Sequence, residues 1–431
     1  MTTANAPAAT APATPPAAVS QTPALMIDVA TKSAQDATHE LIAHAVKIDA
    51  SDLFIAANDG DYGASVRHHG LIRPIAVLSE EQGRRVLAHI KSNAGMELNE
   101  REPTEGRWIY VPDDGEADDL SSVDLRISMI PTLYGEDAAI RLLPRSATLM
   151  KLPDLGMTGK QLTTMQQMIA NPSGLILITG PTGSGKTSTL YAALLELNNG
   201  QRKINTIEDP IEYAVDGLRQ SQTNTSIGVG FAELLRSVLR QSPDVVMVGE
   251  IRDAETAKTA VRAANSGMLV LATLHAPNAA AAIQSMRAYD IPQHFLSTSL
   301  RGVISQRLTR TLDPASRQEI DISDATHTFD DIKQFLKEGE GTKLYMPGPT
   351  PENQMTGYNG RTGVFEVLDI TQELRNLIAD GAPASQIRKQ ASQDGMLEFR
   401  EAALLKVAHG ETTTEEVFRV IPSEQLLVDS Y

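Results

Sequence analysis

The sequence predicts an α/β fold, in which a small α+β domain precedes a phosphate-loop domain that has a mainly parallel sheet and a helical C-terminal region. The strongest observation is a glycine-rich loop at residues 180–187, between an apolar run at 175–178 and a helix-forming run at 190–195. Farther along the chain, short apolar runs alternate with helical patterns, as in the βαβ units of parallel sheets. Before the loop, short strand patterns mix with helical stripes.

The composition narrows the classes of function. With 431 residues, the chain is long enough for several domains of roughly 150 residues each. It has no cysteine, which excludes disulfides, thiolate zinc sites and thiol nucleophiles and fits a reducing, intracellular compartment. Its net charge of −16 argues against general nucleic-acid binding. No apolar run approaches the roughly 20 residues of a membrane span and no signal peptide is recognisable, so a cytoplasmic protein is expected.

Three regions are predicted along the chain. Residues 1–35 are rich in Ala, Pro, Thr and Ser and are expected to form a disordered tail, either a tether to a partner or a variable terminus. Residues 36–145 are expected to form the α+β domain, and residues 146–431 the phosphate-loop domain with its helical C-terminal subdomain. The strand patterns of the α+β domain lie at residues 53–56, 65–67, 107–111, 123–130 and 138–143.

The predicted helices have recognisable starts. An apolar stripe at residues 41–46 predicts a first helix. Ser79 and Gln82 have the spacing of a capping box before a second helix, and Thr158 and Gln161 have it before a third. The chain therefore enters the phosphate-loop domain through a capped helix.

Four strands of the phosphate-loop domain are predicted at residues 175–179, 203–208, 245–249 and 269–274. Each is followed by, or ends at, a residue capable of phosphate chemistry. Because ligands of open α/β sheets bind at the carboxyl ends of the strands, we expect these ends to form the functional site.

The glycine-rich loop has the residue types that hold the phosphates of a nucleotide. Its glycines let backbone N–H groups approach phosphate oxygens, and the following helix presents its positive end. Lys186 is expected to reach the β and γ phosphates and Thr187 to hold Mg²⁺. The expected nucleotide-binding residues are Gly180, Pro181, Thr182, Gly183, Ser184, Gly185, Lys186, Thr187 and Ser188.

Carboxylates follow two of the other predicted strands. Glu250 is expected to polarise the water that attacks the γ-phosphate, because Gly249 stands where many related ATPases have a Mg²⁺-holding Asp. The alternative is that Glu250 is only a partner of Arg252 on a surface turn. Glu208 begins an acidic run at 208–212, whose three carboxylates are expected to share a Mg²⁺ ion, with Glu208 as a candidate ligand; the alternative is an ordinary acidic turn.

One histidine and four arginines complete the candidate set. His275 follows the last predicted strand, where an imidazole can sense the γ-phosphate, although a lone His is more often structural. Arg236 and Arg240 have helical spacing, and Arg126 and Arg141 lie on predicted strands of the α+β domain. Each arginine alone fits a surface residue; together they offer guanidinium groups that neutralise transition-state charge.

These motifs, in this order, resemble those of the secretion and pilus-assembly ATPase family, the motors of type II secretion systems and type IV pili. The similarity extends over about residues 41–420. The segments that carry it are 50–52, 126–128, 135–136, 180–187, 206–212, 239–244, 249–253, 273–275 and 357–363.

The resemblance implies a RecA-like ATPase domain after a PAS-like N-terminal domain, with ATP and Mg²⁺ as cofactors. It also implies a ring-shaped homohexamer in which the N-terminal domain of one subunit closes over ATP held by a RecA-like domain. The ring would dock to inner-membrane platform or secretion-apparatus proteins at the cytoplasmic face of the membrane. Arg126 and Arg141 match the arginines of the family's N-terminal domain that approach the phosphates, and Arg236 and Arg240 match a further arginine pair.

Three more matches assign roles by resemblance. Glu208 falls in the family's aspartate box, Glu250 in its Walker B motif and His275 in its histidine box. The histidine box departs from the family in having Met268 where a first His is usual, so Met268 is given no role.

Two larger departures concern whole segments. Asp313 and Pro314 stand where Cys-Pro begins a four-cysteine zinc module in many relatives, so no zinc site is expected. Residues 313–355, which replace that module, are acidic and must hold their shape by packing or by contact with a partner, with a short helix expected at 329–337. The N-terminal adaptor domain by which many relatives dock is replaced by the Ala/Pro tail, so docking is expected to differ or to be weaker.

Alternatives to an assembly or export motor remain at this point. Residues 374–378 are similar to a signature at the end of pilus retraction motors, but they lie earlier, in a helix that assembly motors share. A nucleotide-dependent scaffold without hydrolysis is disfavoured by intact Lys186, Glu208 and Glu250. A DNA-translocating ring is disfavoured by the acidic charge balance, and no nucleic-acid partner is expected.

Overall fold

A computed structural model describes residues 26–99, 101–112, 122–144, 149–325 and 327–426. Most of the predicted tail, residues 1–25, lies outside the described residues. Within them the chain forms a six-stranded sheet, a seven-stranded sheet and a two-stranded sheet. The predicted fold class is confirmed, with a mainly parallel sheet in the second part of the chain.

The N-terminal part is a six-stranded antiparallel sheet with two helices packed on one face. Its elements are α1 (Ala34–Lys47), β1 (Asp52–Ala57), β2 (Asp61–His68), β3 (Leu71–Ser79), α2 (Glu80–Asn93), β4 (Thr104–Tyr110), β5 (Val123–Pro131) and β6 (Glu136–Pro144). The strand order is β3-β2-β1-β6-β5-β4. Side chains along β1 and β2 alternate between buried and half-buried, so one face of the sheet forms a core with the helices.

Packing begins earlier in the chain than predicted. The Ile27 N–H donates to the Ile75 carbonyl oxygen at 2.8 Å, and Val29 is buried in the N-terminal core. The prediction of a tail up to residue 35 is therefore wrong for the part that the structure describes. Ile27 and Val29 are larger apolar residues than the Ala and Pro that dominate the tail, and burial of such side chains stabilises packing.

One strand and one cap also differ from the prediction. β3 was missed because Pro74 interrupts its alternation and because β3 has an extra residue, Ile75, where it pairs with Ala64 and Ser65 of β2. Ser79 does cap α2 by accepting a hydrogen bond from the Gln82 N–H at 3.3 Å. The Gln82 side chain donates to the Val29 carbonyl instead of completing the capping box.

The larger sheet lies between two layers of helices. In chain order its region contains α3 (Gly159–Ala170), β7 (Gly174–Thr179), α4 (Lys186–Leu197), β8 (Ile204–Glu208), β9 (Arg219–Gln222), α5 (Phe231–Leu239), β10 (Val245–Val248), α6 (Ala254–Asn265), β11 (Leu269–Leu274), α7 (Ala279–Ala288), α8 (Gln293–Ser299) and β12 (Leu300–Leu312). The remaining elements are β13 (Gln318–Asp321), β14 (Lys343–Met346), β15 (Tyr358–Asp369), α9 (Gln372–Ala379), α10 (Ala384–Gln393), α11 (Phe399–Ala408) and α12 (Thr414–Val420).

The strand order β15-β12-β7-β11-β10-β8-β9 places β7, the strand before the glycine-rich loop, inside the sheet. All neighbouring pairs are parallel except β12 with β15. The four predicted strands correspond to β7, β8, β10 and β11, and the capping box of Thr158 and Gln161 forms as predicted. Each face of the sheet carries its own apolar cluster. The sheet therefore gives the site a fixed base.

The segment 313–355 is held by packing and by a buried amide. Asn353 donates to the Asp313 carboxylate at 3.0 Å and to the Gly348 carbonyl at 2.9 Å, and accepts from the Gly357 N–H at 3.0 Å. These bonds join the two ends of the segment beside β13 and β14. Phe329 is buried against the C-terminal helices. The predicted helix at 329–337 is instead a 3₁₀ turn at Asp330–Phe335, a form that suits short segments anchored by few apolar side chains.

Candidate active site

The carboxyl ends of four parallel strands meet at one edge of the seven-stranded sheet. β7 pairs with β11, β11 with β10 and β10 with β8. The glycine-rich loop, hereafter the phosphate loop (residues 180–187), follows β7. Glu208, Glu250 and His275 lie at or just beyond the ends of β8, β10 and β11. The topology therefore brings the predicted residues to the edge where α/β sheets bind ligands.

The phosphate loop adopts a conformation that its glycines permit. Gly180, Gly183 and Gly185 have φ values of 149°, 75° and 86°. A Cβ atom at Gly180 would lie 2.5 Å from the Gln306 carbonyl oxygen, so a side chain has no room there. Gly185 is the N-cap residue of α4, and no side chain there bonds to the first N–H groups of the helix. The first N–H groups of α4 are thus available to phosphate oxygens.

Two side chains of the phosphate loop also suit a phosphate ligand. The Lys186 ammonium donates to the Gly180 and Pro181 carbonyl oxygens, both at 3.0 Å. Partial burial lowers the pKa of Lys186, an effect that the Glu250 carboxylate opposes and the Arg307 guanidinium reinforces. The Ser184 hydroxyl is buried and has no hydrogen-bond partner among the described residues. A buried hydroxyl of this kind is costly unless a ligand completes its bonding.

The outer residues of the loop are open to solvent. Pro181, Thr182 and Ser188 are exposed, whereas Thr187 is half-buried. Exposure at the mouth of the loop leaves a path for a ligand to enter.

Glu250 is held between a histidine and an arginine. The His275 Nε2 atom lies 2.9 Å from Glu250 Oε1, and Arg252 Nε donates to Glu250 Oε2 at 2.6 Å. Both interpretations of Glu250 are therefore present in the geometry, the contact with Arg252 and the placement beside His275. Glu250, just after β10, thus contacts His275, just after β11. These two contacts hold the Glu250 carboxylate beside the phosphate loop.

Glu208 is a buried anchor rather than a free carboxylate. Its oxygens accept hydrogen bonds from the Tyr191 hydroxyl at 2.5 Å, the Thr206 hydroxyl at 2.6 Å and the Gln220 amide at 3.0 Å. Burial and the bond to Glu208 raise the pKa of Tyr191, which therefore keeps its proton for donation. With both oxygens engaged, Glu208 fits the role of Mg²⁺ ligand less well than its sequence position indicates.

Glu212 is the carboxylate that the structure places at the phosphate loop, and the sequence reasoning did not select it. Loss of solvation in the cleft raises the pKa of Glu212, Arg141 and Arg126 lower it, and the nearby Glu208 raises it again. The Thr187 hydroxyl lies close enough to lower that pKa slightly. The signal was present in the acidic run 208–212, but only the folded chain shows that Glu208 points into the core and Glu212 into the cleft.

Arginines of the N-terminal domain face the same cleft. Arg126 and Arg141 lie directly opposite each other in the pairing of β5 with β6, and Arg107 lies opposite Arg126 on β4. Like charges in such positions destabilise a sheet unless opposite charge compensates them. Glu212 supplies part of that charge, and Arg126 donates to the Ile211 carbonyl at 3.4 Å. All of these contacts are within one chain.

The other predicted arginine pair is engaged elsewhere. Arg236 forms ion pairs with Glu233, at 3.0 Å, and with Glu255. Arg240 follows the last residue of α5 and donates to the Ser237 hydroxyl at 3.3 Å. Among the described residues, these contacts involve α5 and α6 and not the phosphate loop.

A neighbouring strand, β12, contributes two residues that no sequence motif indicated. Gln306 donates to the Ser184 carbonyl at 2.6 Å and accepts from the Thr189 hydroxyl at 2.8 Å, so it braces the phosphate loop against α4. Arg307 donates to the Pro277 carbonyl at 2.7 Å, just after His275. Gln306 and Arg307 lie in a strand that mixes polar and apolar residues, so nothing in its sequence singled them out.

Two searches of the described ranges gave negative results. Across residues 26–426, with the gaps stated above, no group of three or more His, Asp or Glu side chains is arranged to hold a metal ion. Within the same described residues, no helix is both long enough and apolar enough to span a membrane.

Comparisons with known proteins agree with this geometry. Residues 30–419 match the model of a family described as type II/IV secretion system protein. The chain is 40% identical over 385 residues to type II secretion system protein E of Dickeya dadantii, covering 89% of this chain and 75% of that protein. It is 36% identical over 392 residues to the type IV pilus assembly ATPase PilB of Thermus thermophilus, covering 91% of this chain and 43% of that protein.

Solved structures show the same fold. The Legionella pneumophila ATPase DotB superimposes with a TM-score of 0.68 at 22% identity, covering 91% of this chain and 97% of that one. The pilus retraction motor PilT with bound ADP superimposes with a TM-score of 0.56 at 25% identity, covering 88% and 96%. The fold is therefore that of secretion and pilus ATPases.

Proposed function

Because the chain belongs to the family of type II/IV secretion system proteins, we propose that it is an ATP-hydrolysing motor that powers type II secretion or type IV pilus assembly. The relatives matched by sequence at 36–40% identity have names from secretion and pilus assembly. The retraction motor is more distant, at 25% identity. Assembly or export is therefore favoured over retraction.

The observation that carries the proposal is the convergence at one sheet edge. Lys186 lies over the phosphate loop, Glu250 and His275 lie 2.9 Å apart beside it, and Arg126 and Arg141 face the same cleft from the other domain. In this arrangement Lys186 binds the β and γ phosphates. Glu250 orients the attacking water, and His275 holds Glu250 and senses the γ-phosphate. The arginines offset charge that develops during phosphoryl transfer.

A residue at the start of α4 and a residue of the acidic run have side chains that suit a Mg²⁺ ion. The Thr187 hydroxyl and the Glu212 carboxylate are neighbours and supply the oxygen ligands that Mg²⁺ prefers. We assign the ion to these two residues rather than to Glu208. When bound, Mg²⁺ would neutralise phosphate charge; Glu212 would in addition keep Thr187 in place.

The assembly and its location are part of the same proposal. We infer a homohexameric ring that docks to inner-membrane platform or secretion-apparatus proteins and lies at the cytoplasmic face of the membrane. The relatives' names support a place in secretion machinery. Arg236 and Arg240 contact only α5 and α6 among the described residues, and we assign them to a contact between subunits of the ring.

Turnover of ATP by the full chain tests the proposal. Lys186→Ala should abolish measurable hydrolysis while the melting temperature stays unchanged, because the side chain contacts the loop and not the core. Lys389→Ala, on the exposed side of α10, is a matched control that should hydrolyse ATP at the wild-type rate. Normal turnover by the Lys186 variant would refute the assignment of the site.

A further inference from the structure

His275 has an exposed side chain on the loop between β11 and α7, so its position depends on how that loop is fixed. About half of the side-chain surface is open, at 51%. Its one described polar contact is the 2.9 Å approach to Glu250. An exposed imidazole on an unsupported loop samples several rotamers, whereas catalysis needs one geometry.

Three side chains hold the backbone of residues 276–279. The Thr179 hydroxyl, at the end of β7, donates to the Ala276 carbonyl at 3.1 Å. Arg307, on β12, donates to the Pro277 carbonyl at 2.7 Å. Glu366, on β15, accepts from the Ala279 N–H at 2.9 Å, at the first residue of α7.

Arg307 and Glu366 differ from Thr179 because both are ionisable as well as buried. Arg307 is 5% exposed and so is Glu366. Burial lowers the pKa of Arg307, and the Glu366 carboxylate opposes that effect. Burial raises the pKa of Glu366 to about 7. Buried ionisable side chains of this kind are costly unless their hydrogen bonds are satisfied. The loop backbone supplies one hydrogen bond to each of them, which ties the loop to the sheet.

The same two side chains also reach the start of α11. Glu366 accepts from the Phe399 N–H at 3.3 Å, and the Arg307 guanidinium lies 4.9 Å from the centre of the Phe399 ring. The loop after His275 is therefore fixed to the sheet and to the C-terminal helices by one buried cluster.

We propose that Arg307 and Glu366 are positioning residues that fix residues 276–279 and thereby hold His275 against Glu250. This inference rests on the proposed roles of His275 and Glu250. Neither Arg307 nor Glu366 touches the reacting atoms; each acts through the loop backbone.

The test compares matched variants of the full chain. Arg307→Lys keeps a positive charge but cannot reproduce the planar pair of donors. Its kcat should fall roughly tenfold to a hundredfold, the scale of a displaced catalytic group. Binding of a fluorescent ATP analogue should change little, because the substitution keeps the positive charge near Lys186 and alters no residue of the phosphate loop. Arg310→Lys is the control, since Arg310 is on the same strand but pairs with Glu416, away from the loop; it should retain the wild-type kcat.

A double-mutant cycle distinguishes positioning from general packing. If Arg307 acts through His275, adding Arg307→Lys to His275→Ala should cause no further loss. Glu366→Gln should behave in the same way and serves if the arginine variant folds poorly. Additive losses, or an equal loss in Arg310→Lys, would overturn the positioning role. If His275→Ala turns over at the wild-type rate, the proposed role of His275 is wrong; if it is slow and Arg307→Lys is not, only the positioning role is wrong.

Discussion

Glu250 is the proposed catalytic carboxylate, and both of its oxygens are held by neighbouring side chains. Its two oxygens contact His275 and Arg252 at 2.9 and 2.6 Å, so neither rotation nor withdrawal of the carboxylate is free. A carboxylate fixed in this way can orient a water molecule with little reorganisation. The arginine contact, which in the sequence looked like an alternative to catalysis, is part of the same arrangement.

Replacing Glu250 by Gln separates nucleotide binding from turnover. Gln keeps the size of the side chain but removes the charge that orients water. We expect ATP binding to remain and kcat to fall about a hundredfold or more, as for the loss of one catalytic group. Binding is measured by equilibrium titration with a fluorescent analogue and turnover by phosphate release. Lost binding would instead assign Glu250 to the metal or to the fold.

Single residues show where the sequence was informative and where it was not. The meeting of Lys186, Glu250 and His275 at one sheet edge was predictable because each follows an apolar strand, and the parallel sheet brings such ends together. Glu212 and Gln306 were not predictable in this way. The turn directs the Glu208 carboxylate into the core and leaves Glu212 at the cleft, which the sequence does not reveal. Gln306 contacts the phosphate loop from a strand that lies far along the chain. Both depend on tertiary contacts that no local pattern contains.

At the scale of elements, strands with a clear apolar pattern were predicted, including the nine-residue β5 and β6, whereas strands with an interrupted or mainly polar pattern were not. β7, β8, β10 and β11 are short buried runs bounded by polar residues. β12 was missed because serine, glutamine and arginine interrupt its apolar pattern. Those interruptions are the residues that support the phosphate loop and the His275 loop. The residues that break the apolar pattern of β12 are thus the ones that contact the proposed site.

The hairpin of β2 and β3 contacts the start of β15, and we expect this contact to depend on pH. His69 Nε2 accepts the Gly360 N–H at 3.1 Å, and Arg73 donates to the Gln354 carbonyl at 2.8 Å. These bonds join the N-terminal domain to the start of β15. Burial lowers the pKa of His68 to about 4 and that of His69 to about 3, and the positive charges of Arg73, Arg310 and Arg361 act in the same direction.

This contact should weaken in mild acid. A histidine whose pKa is lowered in the folded state stays neutral there, whereas the unfolded chain takes up a proton below about pH 6.5, so stability is complete above that pH and falls below it. Between pH 7 and pH 5 we expect a loss on the order of 2 kcal/mol for each histidine that stays neutral in the folded chain. It is measured as a fall in the thermal midpoint. His69→Asn remains neutral and suits the positive φ of 48° at this position, so its midpoint should fall less.

A control distinguishes this effect from general acid sensitivity. His294→Asn changes an exposed histidine on α8 and should leave the pH dependence of the midpoint as in the wild type. Equal pH dependence in the wild type and in His69→Asn would show that the buried histidines do not govern the contact between the hairpin and β15.

At the scale of the whole molecule, the cleft between the two domains is the feature that sets the mechanism. Arg126 contacts the Ile211 carbonyl of its own chain, and Arg126 and Arg141 both act on the pKa of Glu212 in that chain. One chain therefore supplies both walls of the cleft. The resemblance implied closure of one subunit's N-terminal domain over ATP, and the geometry favours closure over the ATP of the same subunit.

Mixing two inactive variants tests whether the arginines act within one chain. Lys186→Ala lacks the phosphate lysine, and Arg126→Ala lacks the arginine. If Arg126 serves its own chain, every site in a mixed ring is defective and no activity returns. If it serves a neighbour, an Arg126→Ala subunit beside a Lys186→Ala subunit has a complete site, and random mixing of equal amounts would restore about a quarter of the sites in a head-to-tail ring. We expect no recovery, measured as ATP turnover after subunit exchange has been demonstrated with labelled chains. Recovery near a quarter of the wild-type rate would place the arginine in the neighbouring subunit's site and would assign the Arg126 contact with Ile211 to a non-catalytic arrangement of the domains.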